Sequence, residues 1–516
     1  MTDSIDEIIG RGPDEAPAIA AVDRPALTYR GLRRQVDRTV AALQRCGIGR
    51  GDPVGLVLPN GPEMATAFVA LAASAVAAPL NPAYRADEFE SYLTDLQAKA
   101  LIVPAGAPTP ARAVAARHGI RILELSVSAD AAAGEFELQA QGGAGSAPAA
   151  AVPSGAGEVA LLLHTSGTTS RPKIVPLTQR NLCVSADHVR RALALGPADL
   201  CLNVMPLFHI HGLVASVLAT LAAGAAVVCT PGFKTLRFFA WLDQFAPTWY
   251  TAVPTMHQAI LARAPRNPEI VGRARLRLVR SSSAALPPRV MRELERLFGC
   301  PVIEAYGMTE AAHQIASNPL PPRARRPGSV GTAAGPEVAV MDTEGRLLAS
   351  GETGEVVIRG ANVVRGYQSN LEADARAFTA GWFRTGDQGV LDQDGYLTLT
   401  GRLKEIINRG GEKVAPLEVD NVLSAHPAVA CSWTRSRRGR PASCNGSGSP
   451  SGSGCGPETS RLGRARPVRG RAGAGAHRGR GKGSRPRRGR LPGRSPALYL
   501  KRERARSRGR GARRAG

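Results

Sequence analysis

The sequence contains no CxxC pair and no His/Cys spacing of the kind a zinc site requires; its eight cysteines (Cys46, Cys183, Cys201, Cys229, Cys300, Cys431, Cys444, Cys455) are scattered along the chain. A zinc module is thereby excluded, and reduced thiols in a cytoplasmic protein are the expectation. The opening residues, Met-Thr-Asp-Ser-Ile-Asp-Glu, lack the basic and apolar regions of a secretory signal. No apolar run reaches the ~20 residues that a membrane-spanning helix needs. The longest, Ala65 to Leu80, is rich in alanine and follows Glu63, so it is predicted to be a buried core helix. Internal repeats are absent, and no Gly-Lys-Ser/Thr opens a helix as the Walker phosphate loop would.

Acidic residues are almost missing from one region alone. Of 66 Lys+Arg and 42 Asp+Glu in the 516 residues, 25 and 2 lie between Cys431 and Gly516, which leaves a body of 41 and 40. The formal charge of +24 therefore belongs to the tail. Residues 431–516 are rich in Gly, Arg, Ser and Pro with no hydrophobic periodicity, a composition that cannot bury a core and is predicted to be disordered. A run such as Arg478-Gly479-Arg480-Gly481-Lys482-Gly483 would contact nucleic-acid phosphates, but Trp433 and Tyr499 are the only Phe, Tyr or Trp in 431–516, so base stacking has little support and nucleic acid is an incidental partner.

The body has ordinary composition, 43% hydrophobic and 21% charged over the whole chain, and its length exceeds one core, so two or more domains are predicted. Apolar residues at Leu32, Val36, Val40 and Leu43 mark a helix. Strands at Val54–Leu58 and Ala100–Val103, a helix at Glu88–Leu96, and later strands at Leu276–Val279 and Val302–Glu304 alternate with helical stretches such as 179–195. That order predicts an α/β fold with largely parallel sheets. Short runs at Gly354–Gly360, Gly389–Leu391 and Tyr396–Thr400 predict a smaller β subdomain, and the Ala/Gly/Ser/Pro stretch from about Ser126 to Glu158 reads as a surface linker.

The chemistry centres on residues 161–178. An apolar strand, Val159 to Leu163, feeds Thr165, Ser166, Gly167, Thr168 and Thr169 before Pro172 and Lys173. Small residues let backbone N–H groups converge on anionic oxygens, hydroxyls add donors, and Lys173 adds a charge. Taken alone, such a cluster reads more readily as a polar surface loop. Three further segments follow in order: Glu304-Ala305-Tyr306-Gly307-Met308-Thr309-Glu310, Phe383-Arg384-Thr385-Gly386-Asp387, and Gly401-Arg402-Leu403-Lys404-Glu405 with Asn408-Arg409-Gly410-Gly411-Glu412-Lys413. Each has a bland reading by itself, as an acidic helix start, a loop turn and a charged hairpin.

Together they resemble the adenylate-forming superfamily of acyl-CoA synthetases, luciferase and peptide synthetase adenylation domains, over about residues 10–430. The resemblance implies a large N-terminal domain (1–400) of two α/β subdomains and a small β subdomain, then a hinge and the start of a C-terminal domain (401–430). It implies an AMP-forming acid–thiol ligase using ATP, Mg²⁺ and coenzyme A on a small-molecule carboxylate. By the same analogy Thr165 to Thr169 and Lys173 hold phosphates, Tyr306 stacks on adenine, Thr309 contacts the α-phosphate, Glu310 holds the metal, and Asp387 and Arg402 contact ribose. Lys404 matches the hinge and Gly410-Gly411 the approach of the thiol.

Wording shared with the oxalate–CoA ligase branch includes Pro-Leu-Phe-His-Ile-His-Gly-Leu at 206–213, Arg280-Ser281-Ser282-Ser283-Ala284 and Ser317-Asn318-Pro319-Leu320-Pro321. It implies an acyl site built with His209, His211, Ser283 and His313, the last two offering donors to a second carboxylate. The same histidines would serve as satisfied interior groups lining a medium-chain or aryl-acid pocket, and a degenerate nucleotide binder without turnover is a third reading. After Val429 the pattern of relatives stops, and the near-terminal Ser-Gly-Lys segment that carries their adenylation lysine has no counterpart; Lys482 sits in an Arg-rich run. The abrupt change suggests a reading-frame shift near codon 430 and predicts slowed adenylation.

Overall fold

A computed structural model describes residues 3–140, 155–165, 172–405, 407–409, 412–414, 416 and 419. The chain divides at Pro441, and every described residue lies in the first unit. Ser166, Gly167, Thr168, Thr169, Gly410, Gly411 and the segment 431–516 lie outside the described residues.

Two sheets organise the fold. The first has seven strands in the spatial order Glu137–Ala140, Arg121–Ser126, Ala100–Pro104, Pro53–Leu56, Val76–Pro79, Val159–Thr165, Lys173–Thr178. The five inner strands are parallel and each edge is closed by an antiparallel neighbour. The second runs Arg24–Thr28, Pro17–Ala21, Ala226–Cys229, Leu200–Asn203, Trp249–Ala252, Leu278–Ser281, Val302–Met308, of which all but the first are parallel. Strands such as Ala226–Cys229 and Trp249–Ala252 are buried along their whole length, as expected where helices cover both faces of a parallel sheet.

The predicted β subdomain is present, but it is not a separate sheet. Val302–Met308 pairs antiparallel with His313–Ser317, and the ladder continues through Gly331–Ala333, Tyr396–Arg402, Trp382–Leu391, Thr353–Arg359 and Glu337–Met341. One strand thus carries the parallel core into the antiparallel region, and the turn 309–312 lies at the junction.

Local chemistry explains the boundaries. Thr28 caps the helix Tyr29–Arg45 by accepting the N–H of Gly31, and the buried positions Leu32, Val36 and Leu43 follow helical spacing. The helix Pro288–Phe298 ends on Gly299 at φ 64°, the left-handed conformation that glycine adopts without strain. Two expectations change. The apolar run Ala65–Leu80 is not one helix: Pro62–Ser74 is helical, Ala75 turns extended, and Val76–Pro79 is a buried strand. A continuous apolar run does not separate helix from buried strand, because both bury every side. The stretch read as a linker is partly core, since Ala133 and Phe136 are buried and Glu137–Ala140 pairs with Arg121–Ser126. No helix among the described residues is long and apolar enough to cross a membrane.

Candidate active site

The sites begin where the strand ends meet. Val159–Thr165 and Lys173–Thr178 form a hairpin whose register sets Thr165 opposite Lys173. Segment 364–368 crosses this hairpin: the N–H of Gln368 donates to the carbonyl of Ile174 at 3.0 Å, and that of Val364 to the carbonyl of Glu310 at 2.9 Å. The result is a relay of three side chains. The Lys173 ammonium lies 4.3 Å from the centre of the Tyr367 ring, and the Tyr367 hydroxyl donates to Glu310 Oε1 at 3.0 Å. Glu310 is buried, and that burial raises its carboxyl pKa, while the Tyr367 hydrogen bond and the Lys173 charge pull it back down. Thr309 begins the short turn Thr309–Ala311 beside it and is partly exposed.

A second cluster forms across the antiparallel ladder. Asp387 and Arg402 are register partners, and Arg402 Nε lies 2.9 Å from Asp387 Oδ1. Tyr306 donates its hydroxyl to Asp387 Oδ2 at 2.5 Å. Asp387 is buried, which raises its pKa against the lowering effects of Tyr306 and Arg402. Both carboxylate oxygens are thus anchored, each with lone-pair capacity to spare. Lys404 follows in the exposed turn after Arg402.

The third cluster is built on a buried cation. Arg280 points from the strand Leu278–Ser281 and is fully buried, with no carboxylate paired to it among the described residues. Its NH2 nitrogen donates to His313 Nε2 at 2.9 Å and to Gln314 Oε1 at 3.0 Å; NH1 lies 3.3 Å from His211 Nε2. Thr251 Oγ1, on the register partner of Arg280, is 2.6 Å from His211 Nε2, and His211 Nδ1 is 2.9 Å from Ser283 Oγ. The rings of His211 and His313 stack at 5.0 Å. Burial and the neighbouring guanidinium push both histidines well below their usual pKa, so both are neutral. Arg280 is itself lowered by burial to about 9 and stays charged below pH 8.

Backbone shape converges on the same place. Ser283, Ala312 and His313 have φ of 72°, 46° and 97°, conformations that cost about 1–3 kcal/mol each in residues with a side chain. Gly307 makes this possible, because a Cβ there would lie 1.6 Å from the His313 carbonyl oxygen. His211 begins the π-helical turn His211–Leu218, and a Cβ at the next residue, Gly212, would lie 2.3 Å from the Pro206 carbonyl oxygen.

The sequence-predicted residues therefore gather into three groups: Lys173 with Glu310, Tyr306 with Asp387 and Arg402, and His211 with Ser283 and His313. His209 does not join the third; it is exposed, its ring 4.6 Å from Phe208. Two residues went unassigned in the sequence. Tyr367 carries no motif, whereas Arg280 had a visible signal, a charge closing an apolar strand ahead of three serines.

A family model described as "AMP-binding enzyme" matches residues 6–368. An oxalate–CoA ligase of Arabidopsis thaliana is 43% identical over 432 residues, 83% of each chain, and one of Saccharomyces cerevisiae is 39% identical over 403 residues, 74% of each. A sulfoacetate–CoA ligase of Cupriavidus necator is 36% identical over 420 residues, 81% of each. Among solved structures, ATP-bound MatB of Rhodopseudomonas palustris superposes with a TM-score of 0.73 at 28% identity, covering 83% of this chain and 84% of MatB. The chain belongs to the AMP-binding enzyme family, the adenylate-forming superfamily, as an AMP-forming acid–CoA ligase.

Proposed function

We propose that the protein activates oxalate: one oxalate carboxylate attacks the α-phosphorus of ATP, the bond to the bridging oxygen breaks, and pyrophosphate leaves. The thiolate of coenzyme A then attacks the acyl carbon of the adenylate and AMP departs, giving oxalyl-CoA. Oxalate–CoA ligases among the relatives support the substrate class. The observation that carries it is Arg280, a buried positive charge with no acidic partner among the described residues, faced by His211, His313 and Ser283. A fatty acyl chain would need apolar walls here, whereas a second carboxylate supplies the missing negative charge.

Lys173 adds positive charge at the phosphates, and Asp387 with Arg402 receives the ribose hydroxyls while Tyr306 flanks the base. The buried carboxylate of Glu310, with Oε1 held by the Tyr367 hydroxyl, would give a divalent cation a fixed oxygen ligand, and nucleotide phosphates would supply others, as is usual for Mg²⁺. When bound, Mg²⁺ neutralises charge on the phosphate oxygens. The protein's own part is orientation and fixed charge rather than covalent chemistry.

ATP–pyrophosphate exchange tests the assignment. Oxalate is expected to support exchange above hexanoate and coumarate. Exchange with hexanoate or coumarate and none with oxalate refutes it.

A further inference from the structure

We infer that Arg280 is a positioning residue that fixes His211 and His313 as their Nδ1–H tautomers, so that the acyl end of the site presents two imidazole N–H donors and the Ser283 hydroxyl to a dianionic substrate. The dianion rests on the oxalate reading; the tautomers rest on hydrogen-bond chemistry alone.

A guanidinium has five N–H donors and no acceptor. Its NH1 and NH2 nitrogens lie 3.3 and 2.9 Å from His211 Nε2 and His313 Nε2, respectively. A proton on either Nε2 would set N–H against N–H, so both Nε2 atoms accept and the ring protons sit on Nδ1. Thr251 agrees with this. Its Oγ1 is 2.6 Å from His211 Nε2 and 3.5 Å from Arg280 NH1: the hydroxyl donates into the single Nε2 lone pair and accepts from the guanidinium, while NH1 at 3.3 Å keeps a proton off that nitrogen electrostatically. Nδ1–H of His211 then donates to Ser283 Oγ at 2.9 Å, which leaves the serine proton to point onward. His313 meets Arg280 through Nε2, which leaves Nδ1 to carry the ring proton.

The backbone holds this arrangement in place. Arg280 and Thr251 are register partners on adjacent parallel strands, so their side chains share one face, and His211 is set over that face at the start of its π-helical turn. Ser283 and His313 reach the same spot only through their left-handed backbone conformations. The charged and titratable groups acting on His211 are Arg280, His257 and, from outside the cluster, His209; those acting on His313 are Arg280 and His211. None is a carboxylate, so nothing in the set favours an imidazolium, and the donors do not change with pH between 6 and 8.

Two-bond ¹H–¹⁵N correlation spectra of the full chain labelled with ¹⁵N-histidine read each nitrogen's protonation directly, with His211→Gln and His313→Gln identifying the two rings. The expected result is an unprotonated Nε2 and a protonated Nδ1 on both rings, unchanged from pH 6 to 8. An Nε2–H form of either ring, or titration within that range, overturns the inference. Arg280→Lys keeps the charge but loses the fork that reaches both rings. At least one ring is expected to move to the Nε2–H form, and oxalate binding to weaken about tenfold, the size of one hydrogen bond to a charged group. Unchanged tautomers in that variant overturn the inference as well. If the variant fails to fold, the wild-type spectrum still decides.

Oxalate added with a non-hydrolysable ATP analogue separates the two proposals. Expected tautomers whose signals oxalate leaves unmoved would sink the oxalate reading and leave Arg280's role intact. Oxalate-shifted signals from Nε2–H rings would do the reverse.

Discussion

Glu304 makes a stability prediction that is independent of the active site's chemistry. It stands on the strand Val302–Met308, buried, with Oε1 accepting the N–H of Leu286 at 2.8 Å and Oε2 without a partner among the described residues. Burial, opposed only by that one hydrogen bond, raises its pKa from 4.5 to about 7. A carboxyl raised in the folded state holds its proton there after the unfolded chain has lost it. Stability is therefore fully present below about pH 4.5, falls as pH rises towards 7, and levels off above. At about 1.4 kcal/mol per unit, the 4.5-to-7 interval corresponds to about 3 kcal/mol, most of it lost between pH 5 and 7. Glu304→Gln keeps an oxygen for the Leu286 N–H and removes the titration, and any cost of an unpartnered amide is the same at every pH. In urea denaturation of wild type and variant, the variant is expected to gain on wild type by about 2–3 kcal/mol between pH 5 and 8.5. Contributions from Glu310 and Asp387 cancel in the difference. A gap between the two proteins that stays constant with pH, or that moves the other way, refutes the reasoning.

Tyr367→Phe leaves the ring under Lys173 but removes the hydrogen bond that favours ionised Glu310, so its pKa rises further. The acid limb of the pyrophosphate-exchange profile should move to higher pH with about tenfold lower exchange at pH 6; an unmoved limb counts against the relay. Gly307→Ala sets a methyl group against the His313 carbonyl, and because backbone cannot yield as a flexible side chain does, oxalate-dependent exchange should be lost while the helical circular dichroism signal persists. Retained exchange with unchanged oxalate affinity contradicts the placement of His313. For the C-terminal region, translation of the coding DNA across codons 420–440 should reveal a second frame that resumes an α/β pattern and ends in a Ser-Gly-Lys segment. Restoring that frame should raise adenylation by about 3 kcal/mol in barrier terms, the size of one charge-stabilising contact; equal turnover of both proteins excludes the idea.

Much of this fold is legible in residue order because its signals are local. Alternating apolar strands and amphipathic helices around residues 27–125 and 200–304 lie where periodicity places them, within a few residues. The apolar run Ala65–Leu80 hides a helix-to-strand change since every position is buried in either form, and Phe136 hides within an Ala/Gly-rich stretch whose composition looks solvent-borne. Sites follow the same division. Tyr306, Asp387 and Arg402 are found through motifs, and the ladder between Trp382–Leu391 and Tyr396–Arg402 then brings two of them into register. Tyr367 becomes relevant only because segment 364–368 bridges the strand Lys173–Thr178 and the distant turn Thr309–Ala311, a relation no local pattern encodes. Arg280 is written into a motif, yet the role proposed for it depends on its having no acidic partner among the described residues, which is a property of the packed core.

Isothermal titration of oxalate, hexanoate and coumarate into the protein saturated with a non-hydrolysable ATP analogue addresses the acyl site without requiring turnover. Saturable binding of oxalate is expected, lost when Ser283 and His313 are both replaced by alanine, with neither monocarboxylate binding comparably. Binding of hexanoate or coumarate with no heat from oxalate would contradict it.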